Sequence, residues 1–96
     1  MSPKNKKKLI ILRKKLDSLD NKLLKIIKKR YRVVQNVLSL KEKKNEIIDK
    51  KRINIILKNI KIKSKKNNID VNITNKIWKS MISAFISYEY RNFKKK

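Results

Sequence analysis

Apolar residues recur at every third or fourth position through the first half of the chain, with almost no interruption. Nine of ten such positions are leucine, isoleucine or valine, and the tenth is Arg30. The ten positions are Leu9, Leu12, Leu16, Leu19, Leu23, Ile26, Arg30, Val33, Val37 and Leu40. Their spacing puts them on one face of an α-helix, called the seam below. A seam of this kind predicts a partner helix.

The long helix is expected to begin near Leu9 and to end between residues 41 and 44. Ser2 and Pro3 suit a helix start, but the four lysines that follow oppose the helix dipole, so residues 1–8 are expected to fray. The apolar period stops in a polar, charged connection, which sets the end. One helix of about 32 residues would be about 48 Å long.

Two shorter helices are predicted to follow. Asp49 is the expected N-cap of the second, which ends in the polar run at residues 64–68, and Asp70 is the expected N-cap of the third, whose basic tail lies at residues 94–96. Their apolar faces are Ile53, Ile56, Leu57 and Ile60, then Ile73, Ile77, Trp78, Met81, Ile82, Phe85 and Ile86. Since the chain has no glycine and no strand pattern, the predicted fold is all-α, with three helices in a single domain over residues 1–96.

The seam and the chain length together predict an intertwined helical homodimer. Ninety-six residues make one small domain, which must gain burial by association. A compact monomer of this size is too narrow to cover so long a helix. Two chains with their long helices side by side would cover both seams.

The net charge is +23, with 30 Lys and Arg against 7 Asp and Glu, which ordinarily favours a nucleic-acid partner. Lys, Ile and Asn, the residues of A/T-rich codons, make up 52 of the 96 residues, so the lysine number is weak evidence. No recognition motif is present, and aromatic residues are not interleaved with the basic runs. A basic, helical nucleic-acid-binding dimer is therefore kept only as an alternative, and no specific nucleic-acid partner is expected.

The chain has no cysteine and no histidine, which removes disulfides, thiol nucleophiles, imidazole bases and nearly all zinc chemistry. We therefore expect neither a metal nor a cofactor. The apolar run before Arg13 is too short for a secretory signal or a membrane span. The expected location is the cytoplasm, with no membrane partner.

Arginine is rare, and Arg30 lies within the seam, where a guanidinium needs an anion. Lys41 follows eleven residues later, which on one helix would put both side chains on one face about 16 Å apart, able to close on a small anion. Arg13 lies about 25 Å before Arg30 and cannot reach the same ligand along its own helix. An antiparallel partner could supply its own Arg13.

These residues also have purely structural interpretations. Arg13 could form a surface pair with Asp17, four residues later. Lys41 could be one more solvated lysine. Arg52 could simply pair with Asp49, one turn before it.

The run LRKKLDSLDNKLLKIIKKR resembles the N-terminal helix of the all-helical (AroQ-type) chorismate mutases. The matching residues are Arg13, Leu16, Asp17, Leu19, Asp20, Leu23, Leu24 and Arg30. The resemblance continues with Lys41, with IIDKKR carrying Asp49 and Arg52, with NNID, and with WKSMISAFISYE, so that it covers roughly residues 9 to 90.

The resemblance implies a homodimer with two shared active sites that converts chorismate to prephenate. The partner's Arg13 and Arg30 would bind the two carboxylates of this small-molecule substrate. Lys41 would hydrogen-bond a carboxylate and the ether oxygen, and Arg52 would add positive field and hold Asp49 or the substrate. The rearrangement needs no nucleophile, base or metal; it needs a fixed conformer and stabilisation of negative charge on the ether oxygen.

Two positions depart from the family pattern. Ile53 stands where the mutases commonly carry the glutamate that binds the ring hydroxyl, and the related isochorismate-pyruvate lyases resemble the chain there; Asp49 favours the mutase. Glu89 stands where the family usually has glutamine, and Phe85, one turn earlier, is counted with the substrate-binding residues. If Glu89 faces the ether oxygen, only its protonated form can donate a hydrogen bond. The alternative is a solvated surface glutamate.

Overall fold

The computed structural model describes residues 1–94, and three α-helices account for most of them. Helix α1 spans Pro3–Leu40, α2 spans Lys50–Lys66 and α3 spans Val71–Asn92. A single 3-10 turn, Lys44–Glu46, lies in the connection between α1 and α2. No strand occurs within residues 1–94. The predicted all-α class with three helices is confirmed. Of the predicted basic tail, Lys95 and Lys96 lie outside the described residues.

Helix α1 begins six residues before the expected start, so residues 3–8, which were expected to fray, are helical. The Ser2 hydroxyl accepts a hydrogen bond from the backbone N–H of Asn5 at 3.1 Å, which is the geometry of an N-cap. Pro3 follows as the first helical residue, where its missing N–H costs nothing. The local cap therefore outweighs the repulsion of the lysines.

Helix α1 ends at Leu40, one residue before the predicted range. The backbone N–H of Lys41 turns to the carbonyl of Leu38 at 3.1 Å, a tightened last turn. Lys41 therefore directly follows the last residue of the helix, and its shared face with Arg30 stays a prediction. Its side chain is placed by contacts with the connection and with α3.

The predicted caps of α2 and α3 are confirmed. The Asp49 carboxylate accepts from the N–H of Arg52 at 3.0 Å, and the Asp70 carboxylate accepts from the N–H of Asn72 at 2.9 Å. Between the two helices Asn68 adopts φ 55°, the left-handed conformation usual after a helix end. The N–H of Ile69 returns to the carbonyl of Ser64 at 2.9 Å, so an asparagine closes the turn in a chain without glycine.

Contacts divide the chain into two units, of which the first is Met1–Val33 and the second begins at Val34. The first unit is a run of α1 alone. In the second unit α2 packs on α3. Buried Ser64 and Thr74 share a hydrogen bond of 2.7 Å between their hydroxyl oxygens, which ties the end of α2 to the start of α3. The single domain over residues 1–96 stays a prediction.

Little apolar surface is buried within one chain. Ile47, 3% exposed, is the one fully buried apolar residue among residues 1–94. Most seam residues are 43% to 77% exposed, namely Leu12, Leu16, Leu19, Leu23, Ile26, Val33, Val37 and Leu40. On α3, Ile73 and Ile77 are also more than half exposed, whereas Trp78, Met81, Ile82, Phe85 and Ile86 are half-buried.

Candidate active site

Lys41 and Glu89 form an ion pair across 48 residues of sequence. The Lys41 Nζ donates to Glu89 Oε1 at 3.0 Å. The Lys41 side chain is 17% exposed, and Glu89 as a residue is 6% exposed. Pairs that are shielded from water in this way interact more strongly than surface pairs. The alternative that Glu89 is a solvated surface residue is therefore wrong.

The connection between α1 and α2 supplies a second partner for Lys41. Its Nζ also donates to the backbone carbonyl of Ile47 at 3.4 Å. An ammonium group has three N–H donors, so one remains for a ligand. Lys41 lines an open cavity of about 600 Å³ together with Asn45, Glu46, Ile48, Asp49 and Lys50. The cavity thus gives a ligand access to Lys41.

The last turns of α1 and α3 are joined near this pair. Gln35 Nε2 donates to the hydroxyl oxygen of Tyr88 at 3.2 Å. Tyr88 precedes Glu89 directly, and Gln35 lies six residues before Lys41. This contact holds the end of α1 beside the end of α3, so that Lys41 and Glu89 can meet.

Arg30 is half-buried, and its Nε has lost contact with water without gaining a hydrogen-bond partner among residues 1–94. A shielded donor without an acceptor is costly, more so on a charged group. A carboxylate would satisfy it in the planar geometry that a guanidinium favours. Arg30 is thus the residue of the first unit that most requires an anionic ligand.

Three other predicted site residues, Arg13, Asp49 and Arg52, are exposed. Within residues 1–94 the single ion pair is Lys41–Glu89, so Arg13 does not pair with Asp17 and the Arg52 guanidinium does not pair with Asp49. The Asp49 carboxylate is occupied as the cap of α2. Neither structural alternative for Arg13 and Arg52 is observed, and both guanidinium groups are exposed to solvent.

Ile53 lies in an apolar groove between α2 and α3. Ile48, Leu57, Ile82 and Ile86 line the same groove. Ile48 precedes the cap of α2 and Ile53 is the fourth residue of that helix, the positions of a hydrophobic staple. The groove does not include Lys41. Phe85 is half-buried on α3, one turn before Glu89.

Sequence reasoning missed Ile47, whose carbonyl contacts Lys41. The sequence feature that could have indicated Ile47 is the apolar pair Ile47 and Ile48, which lies in an otherwise polar connection directly before the cap Asp49. No apolar periodicity in the sequence indicates the 3-10 turn that orients this carbonyl. It depends on Glu46, which accepts from the N–H of Lys43 at 3.0 Å.

The model of the family chorismate mutase type II matches residues 12–90. The chain belongs to this family. The match spans Arg13, Arg30, Lys41 and Glu89, and the three-helix architecture agrees with it. Searches of the curated proteins and of the solved structures gave no significant match.

The chorismate mutase family match supports a chorismate mutase-type function for the chain. Within residues 1–94 no group of three or more acidic, cysteine or histidine side chains could hold a metal ion. None of the described helices is both long and apolar enough to cross a lipid bilayer.

Replacing Lys41 should destabilise the fold by stranding Glu89. We expect Lys41→Met to lower the free energy of unfolding at neutral pH by about 3 kcal/mol, because a buried carboxylate loses its cation. Adding Glu89→Leu in the same chain should recover much of the lost stability, because it removes the stranded charge. Urea unfolding at fixed protein concentration measures both effects.

The control for this experiment is Lys43→Met, which removes an exposed lysine from the same connection and should change stability by less than about 0.5 kcal/mol. Equal stability of the Lys41→Met and Lys43→Met variants would show that the ion pair contributes nothing to the fold.

Proposed function

We propose that the chain is a chorismate mutase, which rearranges chorismate to prephenate. The observation that carries the proposal is the shielded Lys41–Glu89 pair in a chain of this family. During the reaction the ether C–O bond breaks as a new C–C bond forms within the same molecule. No group is transferred and no electron is gained or lost. The enzyme has to hold the reactive conformer and stabilise negative charge on the ether oxygen.

The proposed roles follow from the charge and the remaining hydrogen-bond donors of each side chain. Lys41 directs its remaining N–H between a carboxylate and the ether oxygen, which share this one donor. Arg30 and the partner's Arg13 bind the two carboxylates, and Arg52 adds positive field near Asp49. Glu89, in its protonated form, is the second donor to the ether oxygen. Because every group acts by charge or hydrogen bonding, no covalent intermediate is required.

A homodimer is part of the proposal. The seam of α1 is exposed over most of its length, and an exposed apolar line of this extent marks an interface. A second copy of the chain offers the same seam, with the spacing that helix pairing requires. The second copy also supplies Arg13, which its own helix holds about 25 Å from Arg30.

One assay tests the function directly. Purified protein is incubated with chorismate and, separately, with isochorismate, and prephenate, pyruvate and salicylate are followed. We expect prephenate from chorismate, strongly reduced by Lys41→Met and unchanged by the control Lys43→Met. Absence of every product from both substrates would refute the proposal.

Isochorismate-pyruvate lyase is the second candidate, because Ile53 is aliphatic and lies in an apolar groove. The same fold and cations would then release pyruvate and form salicylate. Pyruvate and salicylate from isochorismate, with no prephenate from chorismate, would favour this candidate over the mutase.

Ile53→Glu should shift the balance between the two activities towards the mutase. A carboxylate at this position can accept a hydrogen bond from the ring hydroxyl of chorismate, an interaction worth about 1.5 kcal/mol, so we expect the ratio of mutase to lyase kcat/KM to rise roughly tenfold. The control is Ile55→Glu, an exposed isoleucine of the same helix. A ratio that is the same in both variants would show that residue 53 does not discriminate the substrates.

The proposed dimer should not dissociate into folded monomers on dilution, since a separated chain would expose its seam to water. Sedimentation at micromolar concentration is expected to show the dimer alone. A folded monomer of 11.6 kDa would overturn both the dimer and the shared site.

Complementation tests whether Arg13 and Arg30 act from different chains. Arg13→Ala and Arg30→Ala homodimers should each lose most of their activity. After mixing and reassembly, heterodimers should regain one intact site of two. Heterodimers confirmed by mass spectrometry but without activity would place Arg13 outside the site.

Replacing Glu89 by glutamine should raise the activity. The Glu89 carboxylate repels the negative charge that develops on the ether oxygen, whereas an amide N–H can donate to it, so we expect Glu89→Gln to raise kcat at neutral pH by roughly tenfold or more. The matched control, Glu42→Gln, changes an exposed carboxylate and should keep the parent kcat. A folded Glu89→Gln variant with the parent kcat would remove Glu89 from the mechanism.

A further inference from the structure

The connection between α1 and α2 is folded tightly around Lys41. The Lys43 N–H donates to Glu46 Oε1 at 3.0 Å, and the Ile47 N–H donates to the carbonyl of Lys44 at 3.1 Å. These bonds close the 3-10 turn and fix the peptide that carries the Ile47 carbonyl. Ile47 is buried, while residues 42–46 and 48–49 around it are exposed. One apolar side chain therefore anchors the whole connection.

We propose that Ile47 is a positioning residue for Lys41: its buried side chain fixes the carbonyl that, together with Glu89, orients the Lys41 ammonium. Glu89 at 3.0 Å and the Ile47 carbonyl at 3.4 Å take two of the three N–H donors. The direction of the third is then set by the geometry of the ammonium group. The catalytic consequence rests on the proposed function, whereas the placement of Lys41 does not.

The placement of Lys41 matters because catalysis by hydrogen bonding depends on distance. A lysine side chain has four rotatable bonds and loses much entropy when it is fixed. A chain that fixes it before the ligand arrives avoids that cost during the reaction. Loosening Ile47 should therefore lower kcat by roughly 10-fold to 100-fold, with a smaller change in KM, because small misplacements act mainly on the transition state.

The test measures how accessible Lys41 is to an acylating reagent. Native protein is briefly acetylated with light acetic anhydride, then unfolded and fully acetylated with the heavy reagent. Cleavage at arginine and after glutamate gives residues 33–42, in which Lys41 is the single lysine, and residues 43–46, which hold Lys43 and Lys44. The fraction of Lys41 that carries the light label is divided by the same fraction for Lys43 and Lys44. This ratio reports, within one sample, how far the contacts with Glu89 and Ile47 protect Lys41 from the reagent.

We expect Ile47→Ala to raise this ratio severalfold and to lower kcat, and Ile47→Val to restore most of both. Ile10→Ala, the same change at an exposed isoleucine of α1, should alter neither. A folded Ile47→Ala variant with the parent ratio and the parent kcat would overturn the inference. Should Ile47→Ala fail to fold, Ile47→Val is measured instead, and the parent ratio in that variant would likewise overturn the inference.

Failure of the proposed function would look different. A parent protein inactive on both chorismate and isochorismate, whose Lys41 ratio still rises in Ile47→Ala, would refute the mutase and lyase proposals while leaving Ile47 as the residue that places Lys41.

Discussion

An α-helix of 38 residues is about 57 Å long. Most residues of the seam along α1 are exposed to solvent in the single chain. Helix α1 contains no buried residue, and Ile47 is the one buried apolar residue among residues 1–94. A domain of this size already buries too little surface to be comfortably stable. The exposed seam therefore supports the proposal that the chain gains stability by association. The proposed homodimer would also bring a second set of arginines to each chain, so that one interface would serve both stability and a shared site.

The proposed site would work with charges that are placed before a ligand binds. The chain carries 30 cations, yet residues 1–94 contain one ion pair, and it involves Lys41. Most of the lysines are solvated and contribute little that is specific. Lys41 differs because Glu89 and the Ile47 carbonyl hold it, and Arg30 differs because its Nε is shielded and lacks an acceptor. These observations are the reason that Arg30 and Lys41 are proposed to bind the ligand.

Local features of the fold were predictable from sequence, and contacts between distant residues were not. Asp49 and Asp70 are identified as caps because a cap depends on the residues that follow it within one turn. The start of α1 was misjudged because Ser2 and Pro3 were given less weight than the lysines. The local pattern does not indicate the ion pair of Lys41, because the Glu89 that accepts from it is 48 residues away. The family resemblance brought Lys41 and Glu89 to attention, and Ile47 had no such guide.

The glutamate at position 89 has a physical rationale in a chain with a net charge of +23. The Lys41 ammonium is repelled by the many other cations of the chain. The buried Glu89 carboxylate, 3.0 Å away, offsets that repulsion at the ammonium group itself. Glutamine at this position would accept the same hydrogen bond but would supply no charge. The carboxylate therefore stabilises the observed position of Lys41 before any ligand binds. In the proposed mutase it would also oppose the negative charge that develops on the ether oxygen, so that part of the transition-state stabilisation would be lost in exchange for stability of the resting state.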